Sequence, residues 1–185
     1  MTAILRRLPF FEQHSEVSVA LERLAVKPYQ IVVWVSVSAW KVVELPRDAP
    51  RMPAIFDTGH NHNLSIQRRH LIEWARLQPA SLPQLGAITV DDEHLPLHAA
   101  NVWLHSNRPG QRDQFSDQPP HCLELRQGIA IYPRGIDFPP LPLLGLRALV
   151  RNNLQCFLDG RHREVSLHSQ NWLSRLLRRL RLALD

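Results

Sequence analysis

Pro53-Ala54-Ile55-Phe56-Asp57-Thr58-Gly59-His60-Asn61-His62-Asn63-Leu64-Ser65-Ile66 is the stretch on which the reading of this chain turns. Residues 54–56 form a short apolar run, the length of a buried strand. The run leads straight into Asp-Thr-Gly, a polar turn follows, and residues 64–66 are apolar again. Taken alone, Asp57-Thr58-Gly59 is a strand-ending turn, since Asp and Gly both favour turns. A second segment later in the chain changes its weight. Pro142-Leu143-Leu144-Gly145-Leu146-Arg147-Ala148-Leu149 is a stiff approach, an apolar pair, a glycine and the start of a short helix over 146–151.

Outward from these two segments the pattern is mainly β. Residues 29–37 (YQIVVWVSV) are dense in Val, Ile and Trp and predict a buried strand, with 40–45 continuing it or pairing with it. Residues 87–90 and 95–104 predict two strands joined by a turn at Asp91-Asp92-Glu93. Shorter strands are expected at 123–125 and 129–132. Residues 154–158 and 164–167, joined by Asp159-Gly160, read as a hairpin. The polar stretch 106–120 reads as a long exposed loop. Helical spacing is expected at 15–24, with Ser15 as cap, at 67–77 up to the prolines Pro79 and Pro83, and at 172–184. Trp34, Trp40, Trp74 and Trp103 are expected in the core or at its edge.

The pairing of the two segments resembles the retropepsin-like family of single-domain aspartic proteases, over about residues 29–168 in order. The resemblance implies a mainly β acid-protease barrel with a short helix after Leu-Leu-Gly, flanked here by extra N- and C-terminal helical segments. It implies an N-terminal extension at 1–28, the protease domain at 29–168, and a basic amphipathic helix at 169–185. It further implies that Asp57 is the one catalytic carboxylate per chain, and that Thr58, Gly59, His60, Leu144 and Gly145 support its loop. Such a family closes a β-hairpin flap over its substrate, and the tip expected here is 84–87, with Leu85, Gly86 and Ala87 as its core. The residue after Asp-Thr-Gly is commonly small in the family, and here it is His60. The flap is also poor in glycine. These two departures favour the alternative, a catalytically inactive retropepsin-like interaction or oligomerisation module.

The chemistry explains why one such carboxylate implies a partner. Hydrolysis by this route needs two carboxyl groups sharing one proton, because like charges a few ångströms apart cannot both ionise. A chain with a single Asp-Thr-Gly and no internal repeat must take the second Asp from a symmetric copy, so a homodimer acting on a peptide or protein substrate is expected. No cofactor is expected. His60 and His62 are two apart, with no third ligand at convincing spacing, so they read as pocket or surface histidines rather than a metal site.

Composition limits the remaining classes. The 185 residues, 44% hydrophobic, suffice for a packed core, and 15 Pro against 7 Gly favour short strands over long helices. The net charge of +5 comes from 22 Lys and Arg that are dispersed apart from Arg6-Arg7, Arg68-Arg69 and the C-terminal tail, and no nucleic-acid motif accompanies them. No nucleic-acid partner is therefore expected. Along 172–184 the stripe Trp172, Leu173, Leu176, Leu177, Leu180 and Leu184 faces away from Arg175, Arg178, Arg179 and Arg181. Docking on the domain is the preferred role, with contact to an anionic membrane surface as the alternative. Cys122 and Cys156 read as buried thiols, with a disulfide between them left open. No signal-like or membrane-spanning run occurs, so a cytoplasmic protein is expected.

Overall fold

A computed structural model describes residues 2–90, 93–133 and 139–169. In chain order the strands begin with β1 (Thr2–Pro9), β2 (Ser15–Val19) and β3 (Glu22–Val26). The central strands are β4 (Ile31–Ala39), β5 (Met52–Asp57) and β6 (Leu64–Gln67), followed by the helix α1 (Arg68–Glu73). A hairpin of β7 (Gln84–Val90) and β8 (Glu93–His98) leads to β9 (Ala100–Leu104). The short strands β10 (His121–Leu123), β11 (Ile129–Tyr132) and β12 (Leu143–Gly145) precede α2 (Leu146–Arg151). The closing hairpin is β13 (Leu154–Asp159) and β14 (Glu164–Ser169). The protein is thus a mainly β, mixed-sheet fold with short helices. No helix among the described residues is long and apolar enough to cross a membrane.

Nine strands form one sheet in the order β10-β9-β4-β5-β12-β6-β11-β8-β7, and β1-β14-β13 and β2-β3 form two smaller ones. β12 is the fifth of the nine strands, with β4 and β5 on one side of it and β6 on the other. In β5 every residue from Met52 to Phe56 is buried, which is why it reads as a continuous apolar run rather than an alternating one. The main core joins Val32, Val33, Val35, Ile55, Leu64, Ile66, Leu71, Leu104, Leu144 and Leu149. A smaller cluster of Leu95, Ala130 and Tyr132 lies beneath the β7–β8 hairpin, with Ile88, Val90 and Leu97 packed on it.

Several expectations are corrected. Residues 15–24 form the β2–β3 hairpin, not a helix. Val17 and Val19 are buried while Glu16 and Ser18 are exposed, a period of two that outweighs the looser helical spacing. Ala20, in the turn between them, takes φ 52°. Among the first 28 residues, Ile4, Leu5, Leu8, Val17, Val19 and Val26 pack into the main core. The expected 95–104 strand breaks at Ala99 into β8 and β9, and the chain after Ala39 turns away instead of extending β4. The expected 67–77 helix shortens to α1, although Leu71, Trp74 and Ala75 are buried as its spacing requires. The 106–120 loop is anchored, not simply exposed. Asn107 is buried and donates to the carbonyls of Arg6, Arg108 and Gln111, while the Arg112 guanidinium donates to Ser15 Oγ and the Glu16 carbonyl. The cysteines are both free, Cys122 half-buried and Cys156 exposed. The basic helix expected at 172–184 lies outside the described residues.

Two buried histidines give the fold a pH dependence. His70 is stacked on Trp74 one helical turn on, with ring centroids 3.7 Å apart and planes within 6°. Burial, then the neighbouring Arg69, pushes its pKa down to about 3. His105 is bonded to Ser36 at 2.8 Å. Because the Ser36 hydroxyl donates to the Pro50 carbonyl, His105 Nε2 must be the donor to Ser36. Burial, then Arg51, lowers its pKa to about 4. Both folded pKa values lie below that of an unfolded histidine, so the unfolded state binds more protons between the two. The stability these groups contribute is present above about pH 6.5 and is lost as pH falls toward the folded values. Urea melts of the wild type should weaken steadily with acidification. His70→Phe, which keeps the stack on Trp74, should reduce the slope of stability against pH by about one proton. An unchanged slope would show that His70 does not titrate on unfolding.

Candidate active site

Asp57 is the last residue of β5. The chain leaves β5 through residues 58–63 and returns as β6, yet β5 and β6 do not pair. β12 lies between them, parallel to β5 and antiparallel to β6. The parallel register places Leu143 beside Ile55, Leu144 beside Phe56 and Gly145 beside Asp57. Backbone bonds hold β12 on both sides: Ile55 N–H donates to the Pro142 carbonyl at 2.8 Å, and Gly145 N–H donates to the Asn63 carbonyl at 2.9 Å. The two segments that stand far apart in sequence therefore meet at the carboxylate.

Each loop residue has a physical role. Asp57 Oδ1 accepts the Gly59 N–H at 2.8 Å, which orients the carboxylate. A Cβ at Gly59 would sit 3.3 Å from that same oxygen, so the turn wraps closely around it. His60 N–H donates to the Asp57 carbonyl at 3.2 Å, closing the turn. Thr58 is exposed at its outer corner. Leu144 is fully buried, a floor beneath the loop. Gly145 is required for space, not for its dihedral angles: a Cβ there would run into the carbonyl oxygens of His62 and His60. The His60 ring lies against the same position, 3.1 Å from where that Cβ would be, and its Nε2 is bonded to Ser65 at 2.8 Å. Burial, followed by the nearby His62, lowers the His60 pKa, with Asp57 opposing. The two rings meet edge to face at 5.4 Å.

The loop opens onto a 380 Å³ cleft. His62, Asn63 and Arg147 line one side, and Leu85, Ala87, Ile88 and Leu97 of the β7–β8 hairpin line the other. Leu85, Gly86 and Ala87 lie along β7 toward its base, not at a tip. Val90 and Glu93 pair at the far end of the hairpin, and 91–92 lie outside the described residues. Asn63 and Arg147 were not singled out by sequence. Asn63 is buried and donates to the Gly128 carbonyl at 3.2 Å, tying the loop after Asp57 to the turn before β11. Its one legible signal was a polar residue set directly against Leu64. A larger cavity of 670 Å³, lined by Trp40, Val43, Pro83, Ala99 and Leu125 among others, includes none of the residues of the Asp57 loop. No group of three or more His, Cys, Asp or Glu among the described residues is arranged to hold a metal ion.

Comparison with protein-family models and with curated protein sequences finds no match to this chain.

Proposed function

We propose that this chain is a retropepsin-type aspartic endopeptidase, active as a homodimer in which each copy contributes Asp57. The observation that carries the reading is the strand β12, threaded between β5 and β6 so that Gly145 lies beside Asp57. The carboxylate is held by a backbone N–H at a strand end, and the loop that follows it borders, through His62 and Asn63, a cleft with an apolar hairpin wall.

In the dyad, one carboxylate takes a proton from a water as the water oxygen attacks the scissile carbonyl carbon. The other carboxyl gives its proton to the carbonyl oxygen. Collapse of the tetrahedral intermediate breaks the C–N bond: the departing nitrogen takes the proton held by the first carboxyl, and a hydroxyl of the intermediate returns its proton to the second as the carbonyl re-forms, which restores the one shared proton. The pair titrates as a unit, so activity falls when both carboxyls are ionised and when both are protonated. An extended substrate suits a hairpin-covered cleft, and Leu85, Ala87, Ile88 and Leu97 favour apolar side chains in it. The test is incubation of the confirmed dimer with a diverse peptide library from acid to neutral pH. Cleavage supports the reading; its absence leaves the fold as a non-catalytic module.

His60 does not obstruct this chemistry, because its ring is engaged by Ser65 and Gly145. Its effect is electrostatic. With a lowered pKa it is neutral near neutral pH and becomes cationic only in acid. A cation there favours the ionised dyad and keeps the acid limb of the pH profile low. His60→Ala should move the acid limb of kcat/KM upward by roughly one pH unit and leave the alkaline limb in place. An unchanged acid limb would remove His60 from the electrostatics of the site.

A further inference from the structure

The cleft beside the Asp57 loop combines an apolar wall with unpaired positive charge. Besides the hairpin, the 380 Å³ space is lined by Arg126, Arg147 and His62, and by no Asp or Glu among the described residues. Arg147 stands in the first turn of α2, two residues after Gly145, which lies beside Asp57. Its side chain is held in place: Nη1 donates to Gln127 Oε1 at 2.7 Å. Arg126 and Gln127 belong to the turn that the Gly128 N–H closes on the Leu125 carbonyl at 2.7 Å. Gln127 is neutral, so the bond fixes the Arg147 guanidinium and leaves its charge uncancelled. Other arginines of the fold are neutralised. Arg112, which anchors the 106–120 loop, pairs with Asp113 at 3.0 Å, and Arg163 pairs with Glu12 at 3.0 Å. None of the ion pairs among the described residues takes Arg126 or Arg147. Burial, then the Arg147 charge, lowers the His62 pKa, so the ring is neutral near neutral pH. The two guanidiniums are then the fixed cations of the cleft.

We infer that Arg147, with Arg126, selects substrates that carry an acidic side chain to one side of the scissile bond, next to apolar residues. The inference rests on the endopeptidase reading above and names its substrate class. A carboxylate that enters an apolar cleft loses water and needs charge-assisted donors in return. The Arg147 guanidinium keeps donors beyond the one spent on Gln127, and its planar fork suits a carboxylate. A lysine at the same substrate position would meet like charge as well as losing its hydration. The acid falls outside the scissile pair because the cleft meets the catalytic loop through His62 and Asn63, not through Asp57. Arg147 also lines the 570 Å³ concavity that holds Thr58 and His60. A substrate pinned by it is fixed relative to both ends of the Asp57 loop, so Arg147 determines specificity and takes no part in proton transfer.

The test is a set of peptides with one apolar scissile pair, in which Glu, Gln or Lys is walked through the flanking positions. At one of these positions the wild type should prefer Glu over Gln by roughly tenfold or more in kcat/KM, with Lys the poorest. Arg147→Gln should collapse that ratio toward one, and Arg147→Glu should turn the preference toward Lys. Cleavage with no preference for Glu at any position overturns the inference and leaves the protease reading standing. A Glu preference that survives Arg147→Gln combined with Arg126→Gln overturns it equally. If no peptide is cleaved, the protease reading fails and binding decides the inference alone. Fluorescence anisotropy of the labelled peptides should then show the Glu peptide bound more tightly than the Gln peptide, with the difference lost in Arg147→Gln and reduced by salt. Equal binding of the two, or none, overturns the inference. Arg126 and Arg147 are both exposed, so the thermal melts of the variants should match the wild type. Should Arg147→Gln fail to fold, Arg126→Gln and the salt dependence of the wild-type Glu preference decide, and a preference indifferent to both overturns the inference.

Discussion

Asp57→Asn is expected to reduce peptide cleavage to background, a loss of at least roughly 10³-fold in kcat/KM. The amide cannot take a proton from water or share one with its counterpart. The fold should survive, because the Asn oxygen can still accept the Gly59 N–H that Asp57 Oδ1 accepts at 2.8 Å. A thermal melt matching the wild type checks that point. Mixing the two proteins tests the dyad more sharply. After subunit exchange, mixed dimers hold one carboxylate and are inactive, so activity should fall as the square of the wild-type fraction. A linear fall would mean that each chain carries a complete site, and the dyad would be wrong even though Asp57 is essential.

The second large effect concerns the threading of β12. Gly145→Ala is expected to destabilise the fold by about 3 kcal/mol or more. Gly145 has an ordinary φ of −85°, so an alanine meets no conformational penalty there. The cost is steric. The added methyl would occupy the space of the His62 carbonyl oxygen and crowd that of His60, and this loop backbone is tied down by the His60 N–H to the Asp57 carbonyl and by the Gly145 N–H to the Asn63 carbonyl, so it cannot step aside as a flexible side chain can. The β5-β12-β6 pairing would have to loosen at Asp57 itself, so activity should fall with stability. Gly86→Ala is the control. It lies in β7 with nothing within 4 Å of the new Cβ, and its melt should move little. Equal melts for the two variants would show that β12 is not packed against the loop as described.

The two effects separate cleanly: Asp57→Asn removes chemistry with the fold retained, and Gly145→Ala removes the platform that presents the chemistry. The acid weakening from His70 and His105 adds a boundary to both. Any acid optimum of the dyad competes with loss of the fold as those buried rings become protonated. Activity and melting should therefore be followed at the same pH.

The local parts of this protein were legible in its residues. The Val-rich run of β4, the apolar β5 ending at Asp57, the Leu-Leu-Gly of β12 and the Asp159-Gly160 turn each carry their structure in composition and spacing, because burial on both faces or a turn preference leaves a local mark. The helix expected at 15–24 shows the limit. SEVSVALERL satisfies a loose helical spacing and a strict alternation at once, and the choice went to the β2–β3 pairing, where Val17 and Val26 gain a core that no isolated helix could offer. Sequence order could join Asp57 to Gly145 only by resemblance. That β12 lies between β5 and β6, that the His60 ring turns to Ser65, and that Asn63 reaches Gly128 are long-range contacts, and no local pattern encodes which of several apolar strands will occupy a gap. The apolar run before the Asp159-Gly160 turn marks β13 as a strand, but its bare core-side face depends on how far the neighbouring layers extend. The tertiary structure alone decided that, since exposure belongs to the whole packing and not to any residue by itself.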